Sequence, residues 1–109
     1  KTLPTSVTGG EANINVKSHV DASLLVLEPV PSVPGLEVFD LASSSWVQVE
    51  TVCEPGREWV IFGGRGLTHH TGGLVPSCKH RVRADIAGRR RLCFIYEQKN
   101  EDLAAPPGL

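Results

Sequence analysis

Trp59-Val60-Ile61-Phe62, followed at once by Gly63-Gly64-Arg65-Gly66, is a run of strand-forming residues that ends in a glycine break. The same format repeats in both directions along the chain. Upstream, Ala22–Leu27 is a compact apolar run stopped by Glu28-Pro29, and Pro29, Pro31, Pro34 and Gly35 make the loop that follows. Leu36–Phe39 and Trp46–Val49 flank Asp40-Leu41-Ala42-Ser43-Ser44-Ser45, which reads as a hairpin connection. Glu11–Lys17 alternates weakly, and Glu54-Pro55-Gly56-Arg57 is a further turn. Downstream, Thr71-Gly72-Gly73 breaks the chain again; Val75–Ala84 and Arg91–Tyr96 read as two more strands, joined by a turn around Ala87-Gly88. A 3.6-residue apolar period is missing throughout, which confines helix to short pieces near Glu101–Ala105 and leaves residues 104–109 as an irregular surface tail. Short, closely spaced strands with glycine-rich turns predict an all-β sandwich, jelly roll or barrel.

Composition bounds what such a chain can be. Its 109 residues, 40% hydrophobic, suffice for one modest core. No apolar run approaches the roughly 20 residues that span a bilayer, which excludes a helical membrane protein. Eleven glycines and eight prolines without a G-X-Y period mean turns, not collagen. No methionine occurs, even at position 1, so we expect residues 1–109 to be part of a longer polypeptide. Cys53, Cys78 and Cys93 are an odd count without C-x-x-C spacing; this argues against a disulfide framework or a structural zinc site and predicts reduced thiols in an intracellular, cytoplasmic setting.

The net charge of −1 conceals an asymmetry. Residues 1–54 carry two basic and seven acidic groups, while residues 55–109 carry nine basic and five acidic. The basic excess lies at Arg81, Arg83, Arg89, Arg90 and Arg91. Interleaved aromatics are missing, which argues against a nucleic-acid surface, and we read Arg89 and Arg90 as a solvated hairpin end. In the last predicted strand, alternation puts Arg91, Cys93 and Ile95 on one side and Leu92, Phe94 and Tyr96 on the other. A guanidinium on an enclosed apolar side needs a carboxylate or phosphate partner. The Leu92, Phe94 and Tyr96 side needs a cover, expected from the upstream part of the same polypeptide.

The candidate metal ligands are His19, Asp21, His69, His70 and His80. His19 and Asp21 stand at i and i+2, so an extended chain projects both from one face. One imidazole and one carboxylate from a strand end, with a distant imidazole, make the facial triad that binds Fe(II) and leaves three positions open. His69-His70 read as hairpin residues flanking the pocket, Cys53 and Cys78 as small buried side chains, and Trp46 and Trp59 as core anchors. Gly63-Gly64-Arg65-Gly66 is no phosphate loop, because no helix is expected after it and no lysine sits at the needed place.

Taken together, the ordered motifs His19-Val20-Asp21, Pro34-Gly35-Leu36, Val60-Ile61-Phe62-Gly63-Gly64, His80-Arg81-Val82 and Arg91-Leu92-Cys93-Phe94 resemble the C-terminal part of the 2-oxoglutarate- and Fe(II)-dependent oxygenases, in particular the isopenicillin N synthase-like group. The resemblance implies a double-stranded β-helix (jelly roll), incomplete without upstream helices and strands. It also implies Fe(II) on His19, Asp21 and His80, and 2-oxoglutarate held by Arg91 and Cys93. With O₂, oxidative decarboxylation of the cosubstrate would drive hydroxylation, desaturation or cyclisation of a small organic substrate. Two positions depart from the family pattern. Cys93 stands where serine is usual and offers a weaker donor, and Gly64 stands where an aspartate is usual. These departures motivate an alternative expectation, a non-catalytic β-barrel interaction module or degenerate oxygenase fragment.

Overall fold

The computed structural model describes residues 14–84 and 89–99. Seven strands are present among them: β1 (Ile14–His19), β2 (Leu25–Pro29), β3 (Leu36–Asp40), β4 (Ser45–Val47), β5 (Trp59–Gly63), β6 (His80–Arg83) and β7 (Tyr96–Gln98). A 3₁₀ turn at Val49–Val52 and one short helix, α1 (Arg65–His70), complete the set. The strands form two sheets in the orders β1-β6-β3-β4 and β5-β2-β7, all pairs antiparallel. The fold is the double-stranded β-helix of the Fe(II) oxygenases. Among the described residues no helix is long and apolar enough to cross a membrane.

The register of β2 fixes the inside of the smaller sheet. Its partner β5 runs Leu25↔Gly63 to Pro29↔Trp59 without a slip, and the period-2 alternation then buries Val26 and Glu28 together. Leu24, Val26, Val30, Val33, Leu36 and Val47 make the apolar core. An acidic side chain at Glu28, on the same inward face, has to find a cation.

The outer face of the larger sheet is covered by charge. Glu37 is fully buried although it points away from the core residue Leu36 beside it. Arg81, its direct cross-strand partner, donates from Nε to Oε1 at 2.7 Å, and Arg83 Nη1 reaches Oε2 at 3.4 Å. Arg81 also stacks over Trp46, 4.1 Å from guanidinium to ring centroid. Two of the arginines grouped in the sequence are therefore structural, while Arg89 and Arg90 are exposed as expected.

Other expectations need correction. Arg65–His70 is helical, not part of a hairpin, and His69 and His70 at its end are exposed. Trp59 is half exposed, packed against Tyr96 at a ring distance of 6.0 Å, and so is no core anchor. Cys53 and Cys78 are half-buried. Residues 91–95 approach β2 irregularly, and only Tyr96–Gln98 pairs as a strand. Leu92, Phe94, Ile95 and Tyr96 are all exposed, as are Trp59 and Ile61, and Trp59, Ile61 and Tyr96 share the outer face of the smaller sheet. The expected Ala87-Gly88 turn, the Glu101–Ala105 helix and the tail lie outside the described residues.

Helix α1 exists because of a close backbone approach. A Cβ at Gly64 would overlap the Ser23 carbonyl oxygen and come within 2.6 Å of the Asp21 carbonyl oxygen. With no side chain there, three amides dock on the loop after β1: Gly64 N on Leu24 O at 3.1 Å, Arg65 N on Asp21 O at 2.7 Å and Gly66 N on Ser23 O at 3.2 Å. Gly64→Ala should cost about 1–3 kcal/mol, because both obstacles are backbone atoms and cannot swing away. Urea denaturation of the two proteins measures it, and an unchanged midpoint would contradict this packing.

Candidate metal centre and the arginine end of the cavity

β1 and β6 lie side by side with His19 directly opposite His80. Asp21 follows β1 in the loop pinned by Gly64, and its carboxylate points between the two imidazoles. His19 Nε2 is 3.1 Å from Asp21 Oδ1, and His80 Nε2 is 3.4 Å from Asp21 Oδ2. One ligand atom from each of the three residues lies within 4.8 Å of the others. His69 and His70 are not part of this group. The rings of His19 and His80 are 4.3 Å apart, and Phe62 packs against His80 at 4.6 Å. His80 is buried, Asp21 is partly covered and His19 is exposed, so the group opens to solvent on the β1 side.

The hydrogen bonds on the far side of each ring settle what the near side offers. His19 Nδ1 donates to Lys17 O at 2.8 Å, and His80 Nδ1 donates to Cys78 O at 3.0 Å. A carbonyl can only accept, so each Nδ1 carries a proton. With Nδ1 spent on a carbonyl, each ring turns its Nε2 toward the Asp21 carboxylate, so two ring nitrogens and a carboxylate oxygen converge. Carbonyl-oriented imidazoles are the usual support of metal-ligating histidines. The donor set of two nitrogens and a carboxylate oxygen suits a first-row divalent metal.

From this group a cavity of about 100 Å³ runs between the sheets to Arg91, past Val26, Phe62 and Val82. Arg91 lies on Gly35, where a Cβ would come within 2.7 Å of its side chain. The guanidinium is not free. Its Nη2 donates to Glu28 Oε1 at 3.0 Å and to Glu50 Oε2 at 2.8 Å. Cys93 Sγ donates to the same Glu28 oxygen at 2.9 Å. The carboxylate partner that a buried arginine demands is supplied by the chain itself, twice.

The two glutamates are not equivalent. Glu50 also accepts from Gly35 N at 2.7 Å and Leu36 N at 2.9 Å, so both its oxygens are satisfied. Glu28 has Oε2 buried without a hydrogen-bond partner, as is Nε of Arg91. Burial, then the adjacent Glu50, push the Glu28 carboxyl from its ordinary 4.5 up to about 7, against the pull of Cys93 and Arg91. For Glu50 burial acts the same way, but the Glu28 carboxyl, the Leu36 amide, Arg91 and the Gly35 amide outweigh it and hold it below the usual range. Burial and the bond to Glu28 push the Cys93 thiol up to about 12, so it remains a donor.

Neither glutamate was singled out from the sequence. The signal available was alternation: Leu24, Val26, Glu28 and Val30 share one parity, but the strand was expected to stop at Leu27, and only its continuation to Pro29 turns Glu28 inward. For Glu50 no local signal exists, because its partners are set by the tertiary path.

Comparison with known proteins supports this geometry. The profile of the 2OG-Fe(II) oxygenase superfamily matches residues 6–98. The chain belongs to that superfamily. A candidate oxygenase from Shewanella oneidensis has a similar structure, with a TM-score of 0.62 and 25% identity over 85% of this chain. The present chain spans 32% of that oxygenase. No curated protein matches. Within this superfamily fold, His19, Asp21 and His80 come together at one end of the cavity, and Arg91 and Cys93 come together at the other.

The Glu28 shift has a consequence for stability. Between pH 4.5 and 7 the folded chain holds a proton on Glu28 that the unfolded chain has lost. That contribution is fully present below 4.5 and is lost as pH rises through about 7. Glu28→Gln should therefore raise the melting temperature at pH 8 relative to wild type, with the gain shrinking toward pH 5. Thermal melts at four pH values test it; parallel curves for both proteins would refute the assigned burial of the charge.

Proposed function

We propose that the chain is the metal-bearing, C-terminal part of a non-haem Fe(II) oxygenase that uses 2-oxoglutarate and O₂ to oxidise a small organic substrate. The observation that carries this reading is the convergence of two Nε2 atoms on the Asp21 carboxylate, with each Nδ1 spent on a backbone carbonyl. His19, Asp21 and His80 would hold the iron. When bound, the iron would activate O₂, the oxidant, with 2-oxoglutarate giving up two electrons in its decarboxylation to succinate and CO₂ and the organic substrate giving up the other two.

The chain's own residues position and enclose. Phe62 fixes the buried His80 ring, and Val26, Val82 and Phe62 keep water from the cavity wall. The partnerless Nε of Arg91 is a donor suited to the distal carboxylate of the cosubstrate, with Cys93 beside it. Hydroxylation, desaturation and cyclisation are all open to such a centre. The motif order favours the isopenicillin N synthase-like subgroup.

One observation favours a second reading, a non-catalytic β-barrel module: Arg91 is already paired with two carboxylates. Turnover of 2-oxoglutarate to succinate would exclude it. We also propose that upstream residues of the same polypeptide cover the Leu92, Phe94 and Tyr96 surface; Phe94→Lys should then reduce binding of a hydrophobic dye by the 109-residue chain.

Anaerobic addition of Fe(II) and then 2-oxoglutarate should produce a visible metal-to-ligand charge-transfer band, and Fe(II) alone should raise the melting temperature. Both effects should vanish in His19→Ala and Asp21→Ala. An undiminished band in either variant would sink the ligand assignment.

A further inference from the structure

We propose that Glu28 is an internal competitor for the cosubstrate's carboxylate: it holds the Arg91 guanidinium from inside the cavity, so that a carboxylate binds there only as Glu28 takes up a proton. The inference rests on the oxygenase reading above and adds a residue that sets when the cosubstrate is admitted.

The geometry separates the roles of the two acids. Glu50 is tied to the chain by the Gly35 and Leu36 amides and to Arg91 by its second oxygen. It remains the charged partner that keeps the guanidinium in place. Glu28 contributes one oxygen to Arg91 and Cys93 and leaves the other buried and unbonded. Two buried carboxylates on one guanidinium already carry a surplus negative charge, and a third would double it at low dielectric. Protonation of Glu28 removes the surplus without removing any residue from the site.

The groups facing Glu28 are few. Arg91 and Cys93 come from the segment before β7, and Glu50 comes from the 3₁₀ turn. On β5 its register partner is Val60, and the larger sheet presents Leu36 and Val82 across the cavity. Asp21 and His80 line the far end of the same cavity. Of these, Arg91 favours the Glu28 charge, and Glu50 opposes it together with burial; the bond from Cys93 favours it.

Linkage then makes cosubstrate affinity depend on pH through Glu28. With its carboxyl near 7, raising pH from 6 to 8 should weaken binding of 2-oxoglutarate to the wild-type chain by about tenfold. In Glu28→Gln, which keeps an acceptor, and Glu28→Leu, which keeps only bulk, that extra pH dependence should disappear. Both variants should bind about tenfold tighter than wild type at pH 8.

The test is an anaerobic titration of the Fe(II)-loaded 109-residue chain with 2-oxoglutarate at pH 6, 7 and 8. It is read by the charge-transfer band and by calorimetry in two buffers of different ionisation enthalpy. Uptake of close to one proton at pH 8 by wild type, and of none by Glu28→Gln, supports the proposal. Equal affinities and equal proton uptake in wild type and both variants overturn it while leaving the oxygenase reading standing. Absence of 2-oxoglutarate binding in all three proteins, with Fe(II) bound normally, overturns the cosubstrate reading and this proposal with it.

Discussion

Arg91 holds together parts of the chain that no local preference would bring near one another. Its guanidinium draws Glu28 of β2 and Glu50 of the 3₁₀ turn to one point, and its stem lies across Gly35 at the entry to β3. Through Glu50 the tie extends to the Gly35 and Leu36 amides, which would otherwise be buried donors without acceptors. The irregular residues before β7 are thereby fastened to both sheets. A double-stranded β-helix with only three strands on one side needs such a fastening, because its smaller sheet leaves Trp59, Ile61 and Tyr96 exposed and gains little from burial there.

The charge asymmetry of the sequence is resolved by the same principle. Acidic residues of the N-terminal half meet basic residues of the C-terminal half across the fold. Glu37 meets Arg81 and Arg83, and Glu28 and Glu50 meet Arg91. Pairing of this kind is specific because an unpaired partner would be left buried. A basic cluster that could have been read as an interaction surface is, for three of its five members, internal wiring.

Much of the β architecture was legible because its cause is local. Val60-Ile61-Phe62 and Leu36–Phe39 have β-branched and aromatic side chains bounded by turn residues, and both are strands as expected. His19 and Asp21 share a face because the chain there is extended. Helix α1 was not legible: Arg65-Gly66-Leu67-Thr68-His69-His70 has no apolar period and contains a glycine, and its amides are ordered by the Asp21 and Ser23 carbonyls of a distant loop. Trp59 misled because a large aromatic usually marks a core, whereas β5 turns this side chain outward. Arg91–Tyr96 alternated as a strand would, but Arg91 and Cys93 are drawn to Glu28 before pairing with β2 begins.

The two ends of the cavity are built differently. At one end three ligand atoms converge, a donor set suited to a metal; at the other a cation is shared by one carboxylate more than it can neutralise. A metal suits the first and a proton corrects the second, and neither requires the fold to change. The reason lies in which groups are fixed from outside the cavity. The imidazoles are held by the Lys17 and Cys78 carbonyls, and Arg91 is held by Glu50. Glu28 is held less firmly from behind: one oxygen carries its bonds to Arg91 and Cys93, the other is buried without a partner, and β2 itself is secured by five consecutive pairs with β5. A residue whose charge the fold resists is the residue through which a proton can regulate the site.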